Sequence, residues 1–433
     1  MRIAIIGGGA AGLMAAATLY AEHPTAEIFL LERNNGLGKK VIISGGGRCN
    51  VTTGIQDVRT QLTKYPRGAK FLTAAMYAFP PAAVTEWFES RGVPLKTEED
   101  LRVFPQSDDG HDIVRVFERL LIPPHVHVIL NTQVTGITQS SPASRGGARG
   151  GGVSDPPPLP GGEREGVRFA IHTKQNPSPL TANRIILTTG GQAYRHTGST
   201  GDGYAFAMSL GHTLTPLAPS LNALFTREQW PAEVSGLSFE RATITAPSAS
   251  FTGPFLFTHK GISGPAVFAL SSLVAFTQYD VAHPLNITID CVPDTTAEEL
   301  HKQLAQTITA HPTKSLTNVL ATIMPKSLAA ICVRECELPG EKRAAEASKQ
   351  HIMSAITWFK AIPLHAIQRG AGDEFVTAGG IPLTEVSPST MESHICPGLF
   401  FAGEILDIDG FTGGFNLQAS WATGHLAGTH AAK

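Results

Sequence analysis

The sequence of 433 residues predicts an α/β fold in which a parallel-sheet domain is interrupted by an inserted domain of strands followed by helices. Three observations support this prediction. A glycine-rich turn joins a strand to a helix at the start of the chain, and a second glycine-rich turn precedes the last helix. Between them the composition changes near residue 211 and again near residue 371. We therefore expect one domain from residues 1–210 and 371–433, and another from residues 211–370.

The first element is a βαβ unit. Arg2–Ile6 is short, apolar and β-branched, which predicts a buried strand, and Glu27–Leu31 shows the same pattern. Between them Ala10–Glu22 is rich in alanine and leucine, which predicts a helix. Parallel strands joined in this way cross over with a right hand, so the three elements predict the start of a parallel sheet.

The turn after the first strand carries G-x-G-x-x-G at Gly7, Gly9 and Gly12. In a dinucleotide site the first glycine permits the tight turn, the second lets a pyrophosphate approach, and the third lets the helix pack closely on the strand. Glu32 follows the second strand, where an acid binds ribose hydroxyls. The alternative is a plain tight turn with an ordinary glutamate. The motif predicts a Rossmann-like site without separating FAD from NAD.

The C-terminal region favours FAD. Leu399–Ala402 predicts a strand, and Gly403 and Glu404 follow it, where many FAD domains place a Gly-Asp pair near the ribityl chain. A glycine pair, Gly413–Gly414, then leads into the last helix. Glycines permit close backbone approach, and the positive end of a helix dipole stabilises the negative charge of a reduced flavin by about 0.3–1 kcal/mol at an exposed site.

The start of that last helix is predicted from its cap. Asn416 is a good N-cap residue, and Leu417–Ala431 shows the helical pattern that follows it. The alternative to a flavin-binding turn is a glycine-rich cap before an ordinary helix.

The inserted domain is expected to have a β part at residues 211–293 and a helical part at residues 294–360. Strand-like pieces broken by Pro and Gly give way there to helical periodicity. Residues 141–165 consist mainly of Gly, Pro, Ser and Arg without periodicity, which predicts a disordered loop insertion. The alternative is a binding arm that uses Arg145, Arg149 and Arg164.

The composition is that of a globular protein. The formal net charge of -2 favours neither nucleic acid nor a membrane surface as a partner, so we expect a small-molecule substrate. Five scattered cysteines argue against a disulfide framework. Cys332 and Cys336 share a predicted helix face but lack further ligands, so no metal site is expected. No apolar run of the sequence reaches the ~20 residues of a membrane helix, so we expect a cytoplasmic protein.

Four blocks of sequence carry a resemblance to a known family. They are IIGGGAAGLMAA with LLERN, GKKVIISGGGRCNVT, FTHKGISGPAVF, and GLFFAGEILDIDGFTGGFNLQASWATG. On these blocks the chain resembles bacterial NAD(P)/FAD-dependent oxidoreductases known as aminoacetone oxidase family FAD-binding enzymes, a family that also contains a bile-acid 3-oxo-Δ4,6 reductase. The resemblance runs from end to end, and residues 141–165 depart from it. It implies a Rossmann-like FAD-binding domain interrupted by an inserted β-plus-helical domain.

The resemblance also implies which residues contact FAD. Ser44–Asn50 would surround the flavin end, with bare amides from the glycines and a cationic fork from Arg48. Lys40 would reach a phosphate or the flavin rim, and Val134 would hold the adenine through its backbone. Asp202 would be both a helix cap and a cofactor neighbour, or a cap alone. The residues expected to bind FAD are Gly7, Gly9, Ala10, Ala11, Gly12, Glu32, Arg33, Lys40, Ser44, Gly45, Gly46, Gly47, Arg48, Cys49, Asn50, Val134, Gly190, Gly191, Asp202, Gly403, Glu404, Gly413, Gly414, Phe415, Asn416 and Leu417.

Two residues are candidates for catalysis. A bound flavin carries the redox chemistry, and an enone or imine acceptor also needs a proton donor. Cys49 lies in the SGGGRCN block and His259 in the FTHKGISGP block. The alternative for Cys49 is a small buried filler, and the alternative for His259 is a structural turn.

The predicted function is an FAD-dependent oxidoreductase that passes a hydride from NADH or NADPH through FAD to a small organic acceptor, such as an activated alkene. The sequence has no second G-x-G-x-x-G in a strand–helix context, so the nicotinamide donor is expected to bind transiently. One alternative is a flavin oxidase that acts on an amine or aminoketone with O₂. Another is a flavoprotein that modifies or binds RNA.

Overall fold

The computed structural model describes residues 1–140, 168–370 and 375–433. The predicted disordered insertion at residues 141–165 lies outside the described residues. No helix within the described ranges is both long enough and apolar enough to cross a membrane.

The chain divides into two compact units. One consists of Met1–Leu217 with Thr377–Lys433, and the other of Ala218–Val376. Both divisions lie a few residues after the positions expected from composition. Residues just past 211 stay with the first unit because they are tied to it by hydrogen bonds. The imidazole of His212, for example, bonds to the Glu385 carboxylate at 2.7 Å.

The strands have the following bounds: β1 Arg2–Ile6, β2 Glu27–Leu31, β3 Thr52–Thr53, β4 Leu95–Thr97, β5 Arg102–Pro105, β6 Val126–Ile129, β7 Val134–Ser140, β8 Arg168–Thr173, β9 Leu180–Ala182, β10 Arg184–Leu187, β11 Ala218–Ser220, β12 Leu224–Thr226, β13 Ser238–Ala246, β14 Ala249–Thr258, β15 Gly261–Ser263, β16 Leu285–Asp290, β17 Ile362–Arg369, β18 Val376–Ala378 and β19 Leu399–Phe401.

The α-helices have the following bounds: α1 Ala10–Glu22, α2 Lys39–Ile43, α3 Val58–Leu62, α4 Ala69–Ala78, α5 Pro81–Glu89, α6 His111–Leu120, α7 Asp202–Ser209, α8 Pro265–Leu273, α9 Ala297–Ala310, α10 Leu316–Leu320, α11 Lys326–Glu335, α12 Lys349–Lys360 and α13 Phe415–Ala431. Short 3₁₀ helices cover Ser44–Gly47, Arg195–Thr197, Trp230–Val234, Ala344–Glu346 and Leu383–Glu385.

The first unit is built on a five-stranded parallel sheet with the order β19–β10–β1–β2–β6. In its central strand, Ile5 pairs with Leu30 on one side and with Ile186 on the other, and all three side chains are buried. Strands covered on both faces need continuous apolar sequence, which explains the pattern of β1 and β2. The predicted bounds of β1, α1 and β2 are confirmed.

The glycine-rich and polar turns follow the carboxyl ends of these parallel strands. Gly7 follows β1, Glu32 follows β2, Thr188 follows β10, and Gly403 comes two residues after β19. Parallel strands all end at one edge of their sheet, so these residues gather at that edge. In open α/β sheets this is the edge where ligands bind.

The first and last helices of the chain pack directly on each other. A Cβ atom at Gly424 of α13 would lie 2.3 Å from the carbonyl oxygen of Ala11 in α1, and one at Gly428 would lie 2.7 Å from that of Ala15. Larger side chains would therefore force the two backbones apart. This close packing fixes the C-terminal helix against the helix that follows the G-x-G-x-x-G turn.

The second unit contains a closed antiparallel barrel with the order β12–β15–β14–β13–β16–β17. Its core includes Leu224, Ile244 and Phe257, all fully buried. β17 completes the barrel although it follows the helices α9–α12 in sequence, a return to the β part that was not predicted. Its alternating burial at Ile362, Leu364 and Ala366 is that of a strand with one face inward.

The helices α9–α12 form the rest of the second unit. Leu304, Leu328 and Ile356 contribute to the same buried cluster as the barrel. The fold class, an α/β domain interrupted by an inserted β-plus-helical unit, is confirmed.

Candidate functional site

The glycines of the first turn differ in what surrounds them. Gly7 has φ +112°, and a Cβ atom there would lie 2.5 Å from the carbonyl oxygen of Thr188. A Cβ atom at Gly12 would lie 1.9 Å from the carbonyl oxygen of Gly7. Gly9, the N-cap of α1, faces open space instead, because no described atom beyond its two chain neighbours lies within 4 Å of its Cβ position. The amides at the start of α1, including those of Ala10 and Ala11, thus border an open space that suits an anion.

The Glu32 carboxylate is buried beside this turn. Its Oε2 accepts a hydrogen bond from the Gly8 amide at 2.8 Å, and its Oε1 accepts two from Asn34, at 2.8 Å from the backbone amide and 2.7 Å from the side chain. A carboxylate has about four acceptor positions, so one remains for a ribose hydroxyl. The acid is held rigidly at the place where the motif predicts it.

Arg33 and Asp202 form an ion pair next to Glu32. The guanidinium donates to the Asp202 carboxylate at 3.0 Å and to the Thr200 hydroxyl at 2.6 Å. Gly201 is the N-cap of α7, and Asp202 is its first helical residue, with its carboxylate also accepting from Thr200. The predicted capping role of Asp202 is therefore wrong, because a left-handed glycine takes that position.

The turn at Ser44–Asn50 is made of left-handed residues. Gly45, Gly46 and Gly47 have φ values of +59°, +73° and +89°. Within the described part of the chain, no atom beyond the immediate chain neighbours lies within 4 Å of the Cβ positions of Gly46 and Gly47. Successive amides in an exposed glycine turn can hold a negatively charged or polar ligand group.

Like Arg33, the other two predicted cofactor-binding cations are paired with carboxylates. Arg48 donates to Glu98 at 2.6 Å and stacks over the Phe104 ring, 3.8 Å from its centroid. Lys40 donates to Glu404 at 2.7 Å. The guanidinium of Arg48 is thus directed toward the loop after β4, and its predicted role as a fork for the flavin is not supported by this geometry. Lys40 neutralises a site carboxylate.

Cys49 is completely buried, which argues against its predicted catalytic role. Burial raises the pKa of its thiol to about 12, so the nucleophilic thiolate is scarce at neutral pH. The residue also adopts a left-handed backbone with φ +59°. The surroundings favour the alternative of a small buried filler.

Glu404 connects several predicted site residues. Its Oε1 accepts from the Thr377 amide at 2.7 Å, and its Oε2 accepts from Lys40. A Cβ atom at Gly191 would lie 2.5 Å from the Thr377 hydroxyl and 3.1 Å from Glu404, so the turn after β10 approaches this carboxylate closely. Gly190, with φ +72°, and Gly403, with φ +77°, complete the two turns with left-handed backbones.

Thr377 was not among the predicted site residues. Its hydroxyl accepts from the amides of Gln192 at 2.7 Å and Ala193 at 3.2 Å, which fixes the turn after Gly191. The sequence did hold a signal, because Gly379 and Gly380 follow Thr377 as another glycine pair after a strand. Gly379 has φ +88°, as a tight turn requires.

The last helix begins two residues earlier than predicted. Its N-cap is Gly414, with φ +85°, and Phe415 is the first helical residue. Asn416 is not the cap, because its side chain turns back to the preceding loop, accepting from the Gly410 amide and donating to the Gly410 carbonyl, both at 2.8 Å. A Cβ atom at Gly414 would lie 2.2 Å from the carbonyl oxygen of Thr52 and 3.0 Å from Asn50, so the two glycine-rich blocks meet here.

Three predicted residues remain to be located: Val134, Leu417 and His259. Val134 is the first residue of β7 and is buried, and Leu417 lies in the first turn of α13. His259 is exposed in the turn between β14 and β15 of the second unit. Its catalytic role stays a prediction.

A buried polar cluster lies beside Glu404. The Tyr204 hydroxyl and Asp407 Oδ1 are buried, and neither has a hydrogen-bond partner among the described residues. Burial raises the pKa of both groups, and the negative charges of Glu404 and Asp407 raise that of Tyr204 further. Arg67 forms a bidentate ion pair with the buried Asp409. The site therefore concentrates acidic groups that the motifs alone do not explain.

The first unit fits FAD. The open space at Gly9 lies where a pyrophosphate approaches a dinucleotide-binding turn, and Glu32 has an acceptor position left for a ribose. Three further glycine turns, at Ser44–Asn50, Gly190–Gly191 and Gly413–Gly414, allow close backbone approach. Together these features define a dinucleotide-binding protein of the Rossmann class.

The chain belongs to the family described as HI0933-like protein Rossmann domain, whose model matches residues 1–148 and 161–430. The resemblance to FAD-dependent oxidoreductases is thereby confirmed. The unmatched residues 149–160 fall within the Pro- and Gly-rich segment of the sequence.

Named relatives match over nearly their whole length. A 3-dehydro-bile acid delta(4,6)-reductase from Clostridium scindens is 30% identical, with 100% of this chain and 99% of the relative covered. A ribosomal RNA dihydrouridine synthase from Haemophilus influenzae is 27% identical, with coverage of 97% and 96%. Among solved structures, a 3-ketosteroid delta1-dehydrogenase from Sterolibacterium denitrificans is 12% identical, with 99% of each chain covered and a TM-score of 0.49.

Proposed function

We propose that this protein is an FAD-dependent reductase that saturates a carbon–carbon double bond conjugated to a carbonyl group. The observation that carries the proposal is the pair of full-length relatives, a bile-acid delta(4,6)-reductase and a ribosomal RNA dihydrouridine synthase. Formation of dihydrouridine saturates the C5–C6 bond of uridine, which is conjugated to the C4 carbonyl. Double bonds at positions 4 and 6 of a 3-oxo steroid are conjugated in the same way. The two substrates differ in size and charge but share this reacting group.

The shared reacting group sets what the protein must supply. The carbonyl makes the far carbon of the double bond an acceptor for hydride, and the near carbon then takes a proton. FAD supplies hydride-transfer chemistry when bound, and NADH or NADPH is the proposed transient donor. The chain itself must hold the cofactor and provide the proton.

Cofactor binding is proposed to rest on the first unit. The amides at the start of α1 would hold the pyrophosphate, and Glu32 would accept from a ribose hydroxyl. The positive end of the α13 dipole, reached through Gly413 and Gly414, stabilises negative charge placed against it. The ion pair of Lys40 and Glu404 has no net charge, so the carboxylate repels an anionic ligand less than it would alone.

His259 is the proposed proton donor. An imidazole is a common proton donor in catalysis, and His259 is exposed in the β14–β15 turn, whereas the thiol of Cys49 is buried. A His259→Gln variant should keep reduction of its flavin by the nicotinamide donor and lose about 10²–10⁴-fold in reduction of the alkene. Equal loss in both half-reactions would assign His259 to structure instead.

A small organic acceptor is proposed ahead of RNA. The bile-acid enzyme has the higher identity, 30% against 27%. The net charge of -2 also gives no excess of cations for phosphate neutralisation.

The test has two anaerobic stages. Purified protein with its flavin is first mixed with NADH or NADPH, and bleaching of the flavin bands identifies the donor. The reduced protein is then mixed with a 3-oxo-Δ4 steroid, a short-chain cyclic enone or a uridine-containing ribosomal RNA transcript, and reoxidation is followed with product mass.

Each outcome bears on one part of the proposal. Reoxidation with a two-hydrogen mass gain in an enone supports it, and the same gain only in the transcript would move the substrate class to RNA. A flavin that resists both nucleotides but is reduced by an amine, with peroxide formed in air, would replace the reductase with an oxidase.

A further inference from the structure

Two cysteines of the second unit share one face of α11. Cys332 is fully buried in the helix, and Cys336 is its C-cap, one turn later and half-buried. The Cys332 thiol points at the Ala355 carbonyl of α12 at 3.9 Å, and the Cys336 thiol points at the Ser354 carbonyl at 4.0 Å. Both sulfur atoms thus face the same helix, from positions one turn apart on α11.

Among the described residues, the other cysteines show no such pairing with a second thiol. Cys49, Cys291 and Cys396 are buried, and burial raises the pKa of each thiol. Cys336 differs because its thiolate can accept the hydrogen bond of Cys332, which lowers the pKa of Cys336 and raises that of its partner. The accessible thiol of the pair is therefore also the one that ionises first.

The backbone allows the two sulfur atoms to be joined. Residues four apart in an α-helix have Cα atoms about 6.2 Å apart by helix geometry, within the range found for disulfides. Their Cβ atoms, about 5–6 Å apart, must move closer, since a disulfide needs roughly 4 Å. Cys336 lies at the end of α11, and Glu337 after it already leaves the helix with φ +51°, so the last turn can close without disturbing a continuing helix.

We propose that Cys336 is an oxidation site for hydrogen peroxide and that Cys332 is its resolving thiol. The Cys336 thiolate attacks peroxide, forming an S–O bond while the O–O bond breaks, and the departing oxygen leaves as water with the proton that the Cys336 thiol released. The sulfur is oxidised by two electrons, and peroxide is reduced. Cys332 then attacks the sulfenic sulfur, so an S–S bond forms, the S–O bond breaks, and a second water leaves with the proton of Cys332. Two thiols and one peroxide give one disulfide and two waters.

The experiment uses a protease site between the two cysteines. Trypsin cleaves after Arg334, so the reduced protein gives separate peptides 327–334 and 335–342, each with one cysteine. After treatment of the full-length holoprotein with one equivalent of peroxide, we expect these two peptides to appear as one linked species that dithiothreitol separates. Failure of this species to form would overturn the proposal.

Two variants separate the roles of the thiols. In Cys332→Ser, Cys336 should keep its sulfenic acid and label with dimedone at least about tenfold faster than Cys49, Cys291 or Cys396. In Cys336→Ser, Cys332 should stay unlabelled. Cys396→Ser, which removes another buried thiol, should form the linked peptides as the wild type does. Equal labelling of all cysteines would also contradict the proposal. These readouts do not depend on alkene reduction, so they test the oxidation site independently of the proposed function.

Discussion

Two of the glycine-rich turns in the first unit, at residues 7–12 and 44–50, need their glycines for different reasons. In the turn at residues 7–12, Gly7 and Gly12 are needed because the protein's own backbone lies where a Cβ atom would be, at 2.5 Å and 1.9 Å. In the turn at residues 44–50, Gly46 and Gly47 have left-handed backbones and face open space among the described atoms. Gly9 differs from both groups, because it has an ordinary backbone and open space together.

This difference separates three demands on glycine. Where a Cβ atom would clash with backbone, glycine is needed for folding. Where φ is left-handed, glycine avoids local strain. Open space at an unstrained glycine instead indicates room for a ligand. Sequence alone presents all of them as one residue type. The substitutions below test whether each demand has its own measurable effect.

The largest effect is expected for Gly12→Ala. The added Cβ would overlap the carbonyl oxygen of Gly7, and backbone cannot turn aside as a flexible side chain can, so we expect a loss of about 3 kcal/mol or more in the free energy of unfolding. Chemical denaturation measures it. Gly36→Ala, in open space among the described residues, is the control and should change stability by less than about 0.5 kcal/mol. Equal stability of the two variants would contradict a clash at Gly12.

Gly9→Ala should act on the ligand and leave the fold intact. Its Cβ would occupy the space open to the pyrophosphate, so we expect about 10–100-fold weaker FAD binding, equivalent to about 1.4–2.8 kcal/mol. Fluorescence titration of apoprotein with FAD measures the affinity, and the melting temperature of the apoprotein should stay unchanged. Gly136→Ala, an open position on β7, is the matched control. A lower melting temperature with unchanged affinity would make Gly9 structural.

Gly47→Ala tests strain without a clash. An alanine in the left-handed region costs roughly 1–2 kcal/mol, so stability should fall by that amount. Gly92 has φ +84°, and no described atom beyond its chain neighbours lies within 4 Å of its Cβ position, so Gly92→Ala should lose the same stability. The affinity for FAD then distinguishes the two variants. Gly47→Ala should weaken FAD binding and Gly92→Ala should leave it unchanged, since only the turn at residues 44–50 is expected to bind the cofactor. Identical affinities would remove Gly47 from the site.

The smallest effect on activity is expected for Cys49→Ala. The thiol is buried and its pKa is raised to about 12, so it fills space in the turn at residues 44–50 rather than reacting. We expect a loss of about 1 kcal/mol in stability from the lost sulfur contacts, with alkene reduction within twofold of the wild type. Loss of turnover with unchanged stability and flavin content would restore Cys49 as a catalytic residue.

The sequence predicted most of the elements that carry the site but few of the pairings within it. Gly7 and Glu32 follow their predicted strands and Gly12 lies in the predicted helix, because the spacing of the motif reflects local βαβ geometry. Arg48 was assigned to the cofactor from its motif, whereas Glu98, distant in sequence, pairs with it in the structure. Thr377 was missed for the same reason, since its partners are at residues 192, 193 and 404.

Local patterns thus determined the fold class, the first βαβ unit and the glycine-rich turns, because strand burial, helix propensity and turn geometry are properties of neighbouring residues. The tertiary structure alone decided three other features. It placed Gly414 rather than Asn416 at the helix cap, closed the barrel with β17 after the helices, and paired Lys40 with Glu404. The barrel closure and the ion pair join groups far apart in the chain, and Gly414 lies against the distant Thr52, so these positions are fixed only when the backbone packs.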